Sequence, residues 1–313
     1  MKKYKLKILI ILILCFILMN VVAYLHAYKF THFTTDNVSR TKAPKDLTFT
    51  EKIKPLLFGV DNPKPKTKVY PNKPYDVVKL KSNKIIECWH FKTKNPKGTV
   101  VIFHGYAGEK SMFLDKSDIF LTMGYNTLLV DFMGSGGSEG LQTTIGYYES
   151  AQVKTCFDYI RSQGEKNIIL FGQSMGSVAI IKATYDYKIK PEAIVLECPF
   201  GTLYETICGR FKIMNVPTFP MAGLLAFWGG VQNNFWSFGF KPAEYAKNIT
   251  YPTMLIYGKH DEKVSRKEID DIYRNIPSKK YLKIYDAGHE DFLSRVGSEW
   301  IKDINDFLSQ QRN

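Results

Sequence analysis

The segment Ile168-Ile-Leu-Phe-Gly-Gln-Ser-Met-Gly176 is the part of this chain that most clearly indicates its fold. An apolar run typical of a buried strand leads into Gly172-Gln-Ser-Met-Gly176, and an amphipathic segment typical of a helix follows. Strand, sharp turn and helix in this order, with glycines flanking a serine, form a G-x-S-x-G elbow. The turn packs strand against helix too closely for side chains at the glycines and lifts the hydroxyl into the open. Ser174 is therefore the predicted nucleophile.

A serine hydroxyl is a weak nucleophile, so it needs a neighbouring base that a third group orients. In folds with this elbow, an acid and then a histidine follow the serine, each just after a later strand. Asp261 comes after the strand-like segment 254–257, and His289 comes after 281–285. Ser174, Asp261 and His289 are therefore the predicted catalytic triad.

The backbone after the segment 99–103 completes the predicted site. This strand ends in His104-Gly105, which leaves the next backbone amide free to face a developing oxyanion. The N–H groups of Tyr106 and Met175 are the predicted oxyanion hole.

Three further residues near these motifs have other interpretations. Glu197 comes at the end of the β-rich segment 193–196 and could replace Asp261 as the acid, so this alternative stays open. Asp131 precedes the serine and is predicted to fix a turn. His260 is adjacent to Asp261 and is expected to point away from the site as a surface residue.

From residue 75 onwards, β-rich runs alternate with helical ones. The first strands form a meander, and the later strand–helix–strand order requires a mainly parallel sheet covered on both faces. Ligands bind such sheets beyond the carboxyl ends of the strands, where the motifs fall. The predicted strands are 77–80, 85–91, 99–103, 127–131, 168–171, 193–196, 254–257 and 281–285, and the clearest predicted helices are 147–161, 175–185, 267–274 and 299–308.

The composition is that of a folded, basic protein. The 313 residues are 45% hydrophobic and 23% charged, which argues against extensive disorder. The formal net charge is +13, but no nucleic-acid-binding signature accompanies it, so the expected partner is a membrane and not nucleic acid. The five cysteines show neither a paired framework nor zinc-site spacing, and the proposed chemistry needs no cofactor, so neither a metal nor a cofactor is expected.

The N-terminus predicts a membrane anchor. As a helix, residues 8–25 would rise about 27 Å, close to the roughly 30 Å thickness of the hydrocarbon layer. A cleaved secretory signal is the alternative, although Leu25-His26-Ala27 is a poor cleavage site. Lysines precede the span and none lies within it, so we expect a single pass with a cytoplasmic N-terminus and an extracytoplasmic catalytic domain. Cleavage would give a secreted or periplasmic protein instead.

The predicted domains follow from these features. Residues 1–28 are the anchor (or signal peptide), 29–74 a basic linker, and 75–313 the catalytic domain. The catalytic domain has an insertion at about 200–246, a segment that often forms a cap in folds with this elbow. Within the linker, residues 52–60 are apolar enough to form a short docking helix. The cap is rich in aromatic residues, of which at least half are expected to pack into the core. Those predicted to line an acyl pocket are Phe211, Phe227, Trp228 and Trp236.

Six motifs carry a family resemblance: Phe103-His-Gly-Tyr-Ala-Gly108, Gly124-Tyr-Asn-Thr-Leu-Leu-Val-Asp131, Gly134-Ser-Gly-Gly-Ser-Glu-Gly140, Phe171-Gly-Gln-Ser-Met-Gly176, Leu196-Glu-Cys-Pro-Phe200 and Asp286-Ala-Gly-His289. Together they resemble the α/β-hydrolase superfamily, in its serine aminopeptidase-like and lysophospholipase-like branch, which includes animal protein depalmitoylases. The resemblance implies an α/β fold with a mostly parallel eight-stranded sheet, helices on both faces and a small cap. One departure is Ser177, where family members often carry a second glycine.

The expected function is that of a serine hydrolase. It would cleave carboxylic esters of lipid-like, acylglycerol or lysophospholipid-type substrates through an acyl-enzyme. Because the branch also contains thioesterases and peptidases, an acyl-protein thioesterase and a serine aminopeptidase or amidase remain open on the same triad. The alternative outside enzymes is a membrane-tethered binding protein with an inactive hydrolase fold.

Overall fold

The computed structural model describes residues 2–36, 38, 39, 41, 48, 50, 51, 55 and 58–311. The docking helix predicted at 52–60 lies mostly outside the described residues. The chain forms two compact units, which we name by their contents. The anchor-cap unit comprises Met1–Pro63 and Leu203–Gly239, and the sheet unit comprises Lys64–Thr202 and Phe240–Asn313.

The sheet unit contains one eight-stranded sheet in the order β1-β2-β4-β3-β5-β6-β7-β8. β1 and β2 pair antiparallel, as do β2 and β4, and all other neighbours are parallel. The predicted eight-stranded, mainly parallel fold is therefore confirmed. The strands are β1 (Asp76–Lys81), β2 (Ile85–Phe91), β3 (Thr99–Phe103), β4 (Asn126–Val130), β5 (Ile168–Gln173), β6 (Ala193–Glu197), β7 (Thr253–Gly258) and β8 (Lys280–Tyr285).

Helices cover the sheet and connect its parallel strands. They are α2 (Leu114–Thr122), α3 (Glu149–Ser162), α4 (Met175–Tyr187), α7 (Pro242–Tyr245), α8 (Arg266–Asn275) and α9 (Phe292–Ser309). α8 begins with a capping box, in which the side chains of Ser265 and Glu268 each bind the other's backbone N–H. α9 begins seven residues before the predicted helix at 299–308, and Val296 within it departs from helical geometry. This kink interrupts the periodicity on which the prediction was based.

The core lies on both faces of the central strands. Every residue of β3, β5 and β6 is buried, so these strands read as continuous apolar runs, as expected for a parallel sheet covered on both sides. The carboxyl ends of the parallel strands all lie at one edge of the sheet. The loops that follow β3, β5, β6, β7 and β8 therefore meet there.

The α-helices of the anchor-cap unit whose bounds lie in the described residues are α1 (Lys2–Thr31), α5 (Leu203–Ile213) and α6 (Met221–Gln232). α1 is long and apolar enough to cross a membrane or to serve as a signal sequence. α5 and α6 fall within the predicted cap, which enters the chain between β6 and β7. Side chains of α6 contact α1 directly.

Candidate active site

Ser174 lies at a strained turn between β5 and α4. Its backbone has φ +52° and ψ −112°, a conformation that L-residues rarely adopt. A Cβ on Gly172 would lie 2.5 Å from the carbonyl carbon of Gly176, and a Cβ on Gly176 would lie 2.3 Å from the oxygen of Phe103. Neither glycine therefore accepts a side chain, and the elbow holds the serine side chain partly exposed at the sheet edge.

Asp261 and His289 form the central hydrogen bond of the site. His289 Nδ1 lies 2.6 Å from Asp261 Oδ2, and both side chains are buried. The other carboxylate oxygen of Asp261 accepts the N–H groups of Lys263 and Val264 at 2.8 and 3.0 Å. Burial by itself would raise the pKa of Asp261, but the hydrogen bond and charge of His289 and the two amides outweigh it, so the pKa is lowered.

The loops after β5 and β6 connect Ser174 to this pair. The Ser174 N–H donates to the oxygen of Glu197 at 2.7 Å. The next residue, Cys198, places its Sγ so that the sulfur, an Asp261 oxygen and a His289 nitrogen all lie within 4.8 Å of one another. Among the hydrogen bonds of the described residues, none joins the Ser174 hydroxyl to the imidazole of His289. Such contacts are often long before substrate binds and tighten in the Michaelis complex.

The predicted oxyanion-hole residues lie on either side of the serine. Met175 is the first residue of α4, so its N–H has no acceptor within that helix. Gly105, whose peptide bond leads to Tyr106, packs against the elbow, because a Cβ there would lie 3.5 Å from the Ser174 Cβ. The backbone of both predicted donors therefore adjoins Ser174.

His104 holds the loop before Tyr106 in place. Its Nε2 accepts the N–H of Phe132 at 3.0 Å, so its Nδ1 carries the proton and donates to the Gly105 oxygen at 2.7 Å. Burial lowers the pKa of His104, which keeps the ring neutral and both bonds intact at neutral pH. His104 thus fixes the turn that follows β3.

Glu197, the alternative acid, is engaged elsewhere. Its carboxylate is fully buried and binds Lys116 Nζ at 2.5 Å and Trp300 Nε1 at 2.8 Å, one on each oxygen. Gln173 donates a weaker bond at 3.3 Å. The acid that the structure brings to His289 is Asp261, and Glu197 is the counterion of a buried lysine.

Asp131 and His260 occupy the roles expected of them. Asp131 accepts the Gly137 N–H at 2.9 Å and binds both the backbone N–H and the ammonium of Lys110, so it fixes the loop that follows β4. Lys110 is a buried cation that the sequence pattern does not reveal. His260 is exposed and binds Asp286 at 2.7 Å.

Cys198, Asp261 and His289 are a group of three potential metal donors among the described residues. A thiol must lose its proton to bind a metal. Burial, followed by the Asp261 carboxylate, raises the pKa of Cys198 well above its usual value, so it stays a neutral thiol. The group is therefore a poor metal site and suits an acid–histidine pair.

The four aromatic residues predicted to line an acyl pocket belong to the anchor-cap unit. Trp228 packs edge-on against Tyr24 of α1, with ring centres 5.3 Å apart. Trp236 contacts the ring of Phe238 and is 64% exposed. Phe227 is 41% exposed, and Phe211 is half-buried. Their role in substrate binding stays a prediction.

Comparisons with known proteins agree with this fold. Residues 94–227 match the family model described as serine aminopeptidase, S33. YqkD of Bacillus subtilis is 22% identical over 233 residues, covering 73% of this chain and 76% of YqkD. YfhR of Escherichia coli K12 is 23% identical over 226 residues, covering 70% of this chain and 72% of YfhR.

Solved structures give the same result. An esterase of Pyrococcus furiosus matches with a TM-score of 0.65 at 23% identity, covering 79% of this chain and 97% of the esterase chain. An esterase of Thermogutta terrifontis matches with a TM-score of 0.57 at 14% identity, covering 76% and 100%. These likenesses show the α/β-hydrolase fold, and the family match confirms the predicted resemblance to serine aminopeptidase-like hydrolases.

Proposed function

We propose that this chain, an α/β hydrolase by fold and by family resemblance, is a serine hydrolase that cleaves carboxylic esters of lipid-like acyl substrates. The observation that carries the proposal is the bond between His289 and Asp261 at the sheet edge where the strained Ser174 lies. The match to a hydrolase family supports the same reaction class.

The proposed mechanism follows from the tautomer of His289. With Nδ1–H donating to Asp261, the Nε2 lone pair is available to take the Ser174 proton. The Ser174 oxygen attacks the acyl carbonyl carbon, and the N–H groups of Tyr106 and Met175 stabilise the resulting oxyanion. His289 then gives its proton to the leaving alcohol as the ester bond breaks. Water hydrolyses the acyl-enzyme by the same steps.

The cap sequence supports an uncharged acyl group over an aminoacyl group. A serine aminopeptidase, which the name of the matched family suggests, needs carboxylates to bind the free amine of its substrate. Across the predicted cap, residues 200–246, the acidic residues are Glu205 and Glu244, basic residues number three, and aromatic residues are frequent. This composition favours an apolar acyl chain.

A substrate panel tests the proposal. The wild-type chain is assayed with p-nitrophenyl acetate, butyrate, octanoate and palmitate, with an acyl thioester and with aminoacyl amides. We expect kcat/KM to rise from acetate to octanoate and to exceed the value for every amide. Faster cleavage of aminoacyl amides would replace the esterase by the peptidase, and preference for the thioester would replace it by a thioesterase.

The nucleophile is tested with matched serine variants. Ser174→Ala should lower kcat by about a millionfold, since the hydroxyl, base and acid act as a unit. Ser162→Ala is the control, because the Ser162 hydroxyl is exposed and donates to the backbone oxygen of Tyr159 in its own helix. Ester hydrolysis that survives Ser174→Ala at the wild-type rate refutes the proposal.

A further inference from the structure

The cap helix α6 lies against the C-terminal half of α1. Trp228 Nε1 donates to Asn20 Oδ1 at 3.1 Å, and Gln232 Nε2 donates to the backbone oxygen of Tyr24 at 2.8 Å. The rings of Tyr24 and Trp228 meet edge to face. Asn20, the polar residue of the apolar run, therefore has a partner from another helix. Interhelical bonds of this kind join helices inside membranes.

The two helices run in the same direction. Trp228 and Gln232 each bind a residue 208 positions earlier in the chain, and Asn233 binds Thr31, 202 positions earlier. The same separations, counted back from Met221, place the start of α6 beside residues 13 to 19 of α1. In a spanning α1, these residues lie near the middle of the apolar run.

Arg210 lies near the C-terminal end of α1, away from the middle of the apolar run. Its guanidinium lies 4.3 Å from the ring centre of Phe30, near the end of α1 where the chain leaves the apolar run. The uncharged residues 214–220 then lead from the end of α5 back to the start of α6. No charged residue occurs between Lys212 and Lys241. This part of the cap can therefore enter hydrocarbon without burying a charge.

The exposed residues of the segment 214–232 are apolar except for Asn215. Phe219 is 86% exposed, Val231 54% and Phe227 41%. The ring of Phe227 meets that of Trp228. With six residues of α1 between Phe16 and Leu25, Trp228 lines a groove of about 310 Å³ with apolar walls. This surface continues that of the apolar window of α1, which is only 6% buried. In water, a contiguous apolar surface of this kind would be a liability.

We propose that residues 214–232 of the cap insert into the same bilayer leaflet as the C-terminal half of α1, in contact with lipid acyl chains. α1 is then the membrane-embedded partner of the cap as well as a tether. This inference rests on the span formed by α1 and does not depend on the triad.

Depth-dependent quenching tests the insertion. In a Cys15→Ser, Cys208→Ser background, which leaves three buried cysteines, single cysteines are introduced by Phe219→Cys and Val231→Cys and labelled with NBD. The control is Tyr70→Cys, at a residue of the sheet unit that is 69% exposed. The full chains are reconstituted in phosphatidylcholine vesicles. Quenching is measured with doxyl-labelled lipid in the bilayer and, separately, with iodide in the aqueous phase.

We expect deep doxyl groups to quench the label at residue 219. Its quenching constant for iodide should be at least about tenfold lower than that of the label at residue 70. The label at residue 231, further along α6, should respond best to shallow doxyl groups. Iodide quenching at residue 219 within tenfold of the residue 70 control overturns the proposal.

Two measurements keep this result independent of folding and catalysis. Circular dichroism and thermal unfolding of each labelled variant must match the parent chain. Met214→Cys, at the other end of the 214–220 segment, supplies a second inserted position if Phe219→Cys does not fold. Because the test needs no turnover, it gives the same answer in a Ser174→Ala background even if the proposed esterase activity fails.

Discussion

His289 Nδ1 and Asp261 Oδ2 lie 2.6 Å apart although 28 positions separate the two residues in the chain. The loops after β7 and β8 bring them together, and a Cβ on Gly258 would lie only 1.9 Å from the Gly288 oxygen, so the two loops are in close contact. The bond selects the tautomer in which Nε2 is free to act as a base.

Asp261→Asn removes the negative charge of the acid and keeps the size of its side chain. The amide can hold the imidazole in the wrong tautomer, so we expect kcat for ester hydrolysis to fall about 10⁴-fold, as in other serine triads. Asp270→Asn is the control, since the Asp270 side chain is 40% exposed and pairs with Arg266 on its own helix. A loss of less than about tenfold in kcat would remove Asp261 from the triad.

Asp261 should also make stability depend on pH. Its pKa in the folded chain is lower than in the unfolded chain, so the ionised carboxylate stabilises the fold above the unfolded pKa. That contribution is lost as pH falls through the folded pKa. The difference in melting temperature between wild type and Asp261→Asn should therefore be constant above about pH 5 and narrow below about pH 4. A difference that widens on acidification would contradict this.

Glu197→Gln tests the alternative acid. The change leaves the buried Lys116 beside a neutral amide, so we expect the free energy of unfolding to fall by about 3–5 kcal/mol. Thermal unfolding measures the loss, and a fluorophosphonate titration counts the active sites that remain. The kcat per titrated site should change by less than about tenfold. A fall of about 10⁴-fold per site would make Glu197 the acid.

Gly176→Ala tests the packing of the elbow. The new Cβ would meet the Phe103 oxygen at 2.3 Å, and backbone cannot move aside cheaply, so we expect a loss of at least about 3 kcal/mol. Gly223→Ala is the matched helical control, because nothing lies within 4 Å of its added Cβ. That change should stabilise the chain by about 0.5–1 kcal/mol. Equal melting temperatures for the two variants would contradict the close approach.

The sequence predicted the parts of the molecule that local pattern determines. The eight strands follow from apolar runs and chain order, and the elbow from two glycines around Ser174. The sequence leaves the choice between Asp261 and Glu197 open, because Glu197 ends β6 and Asp261 follows β7 at the same sheet edge. The choice depends on Lys116 and Trp300, which lie 81 and 103 positions from Glu197 and carry no local signal.

The cap shows a second limit of sequence reasoning. Trp228 was predicted to line a pocket because aromatic residues in an inserted segment favour that interpretation. Its indole N–H also binds Asn20, 208 positions away, a contact that the composition of the cap does not predict. The available signal was Asn20 itself, a polar residue within an apolar run that needs a partner. Composition does not identify which residue supplies it.

Covalent labelling of the Ser174 hydroxyl is the most direct test that Ser174 is the nucleophile that becomes acylated. The full chain in detergent is treated with a fluorophosphonate, digested, and the modified residue is located by mass spectrometry. We expect one adduct on Ser174, present in Ser162→Ala, absent in Ser174→Ala and strongly slowed in His289→Ala. A folded wild-type chain that takes no label, or takes it on another serine, would show that Ser174 is not the nucleophile.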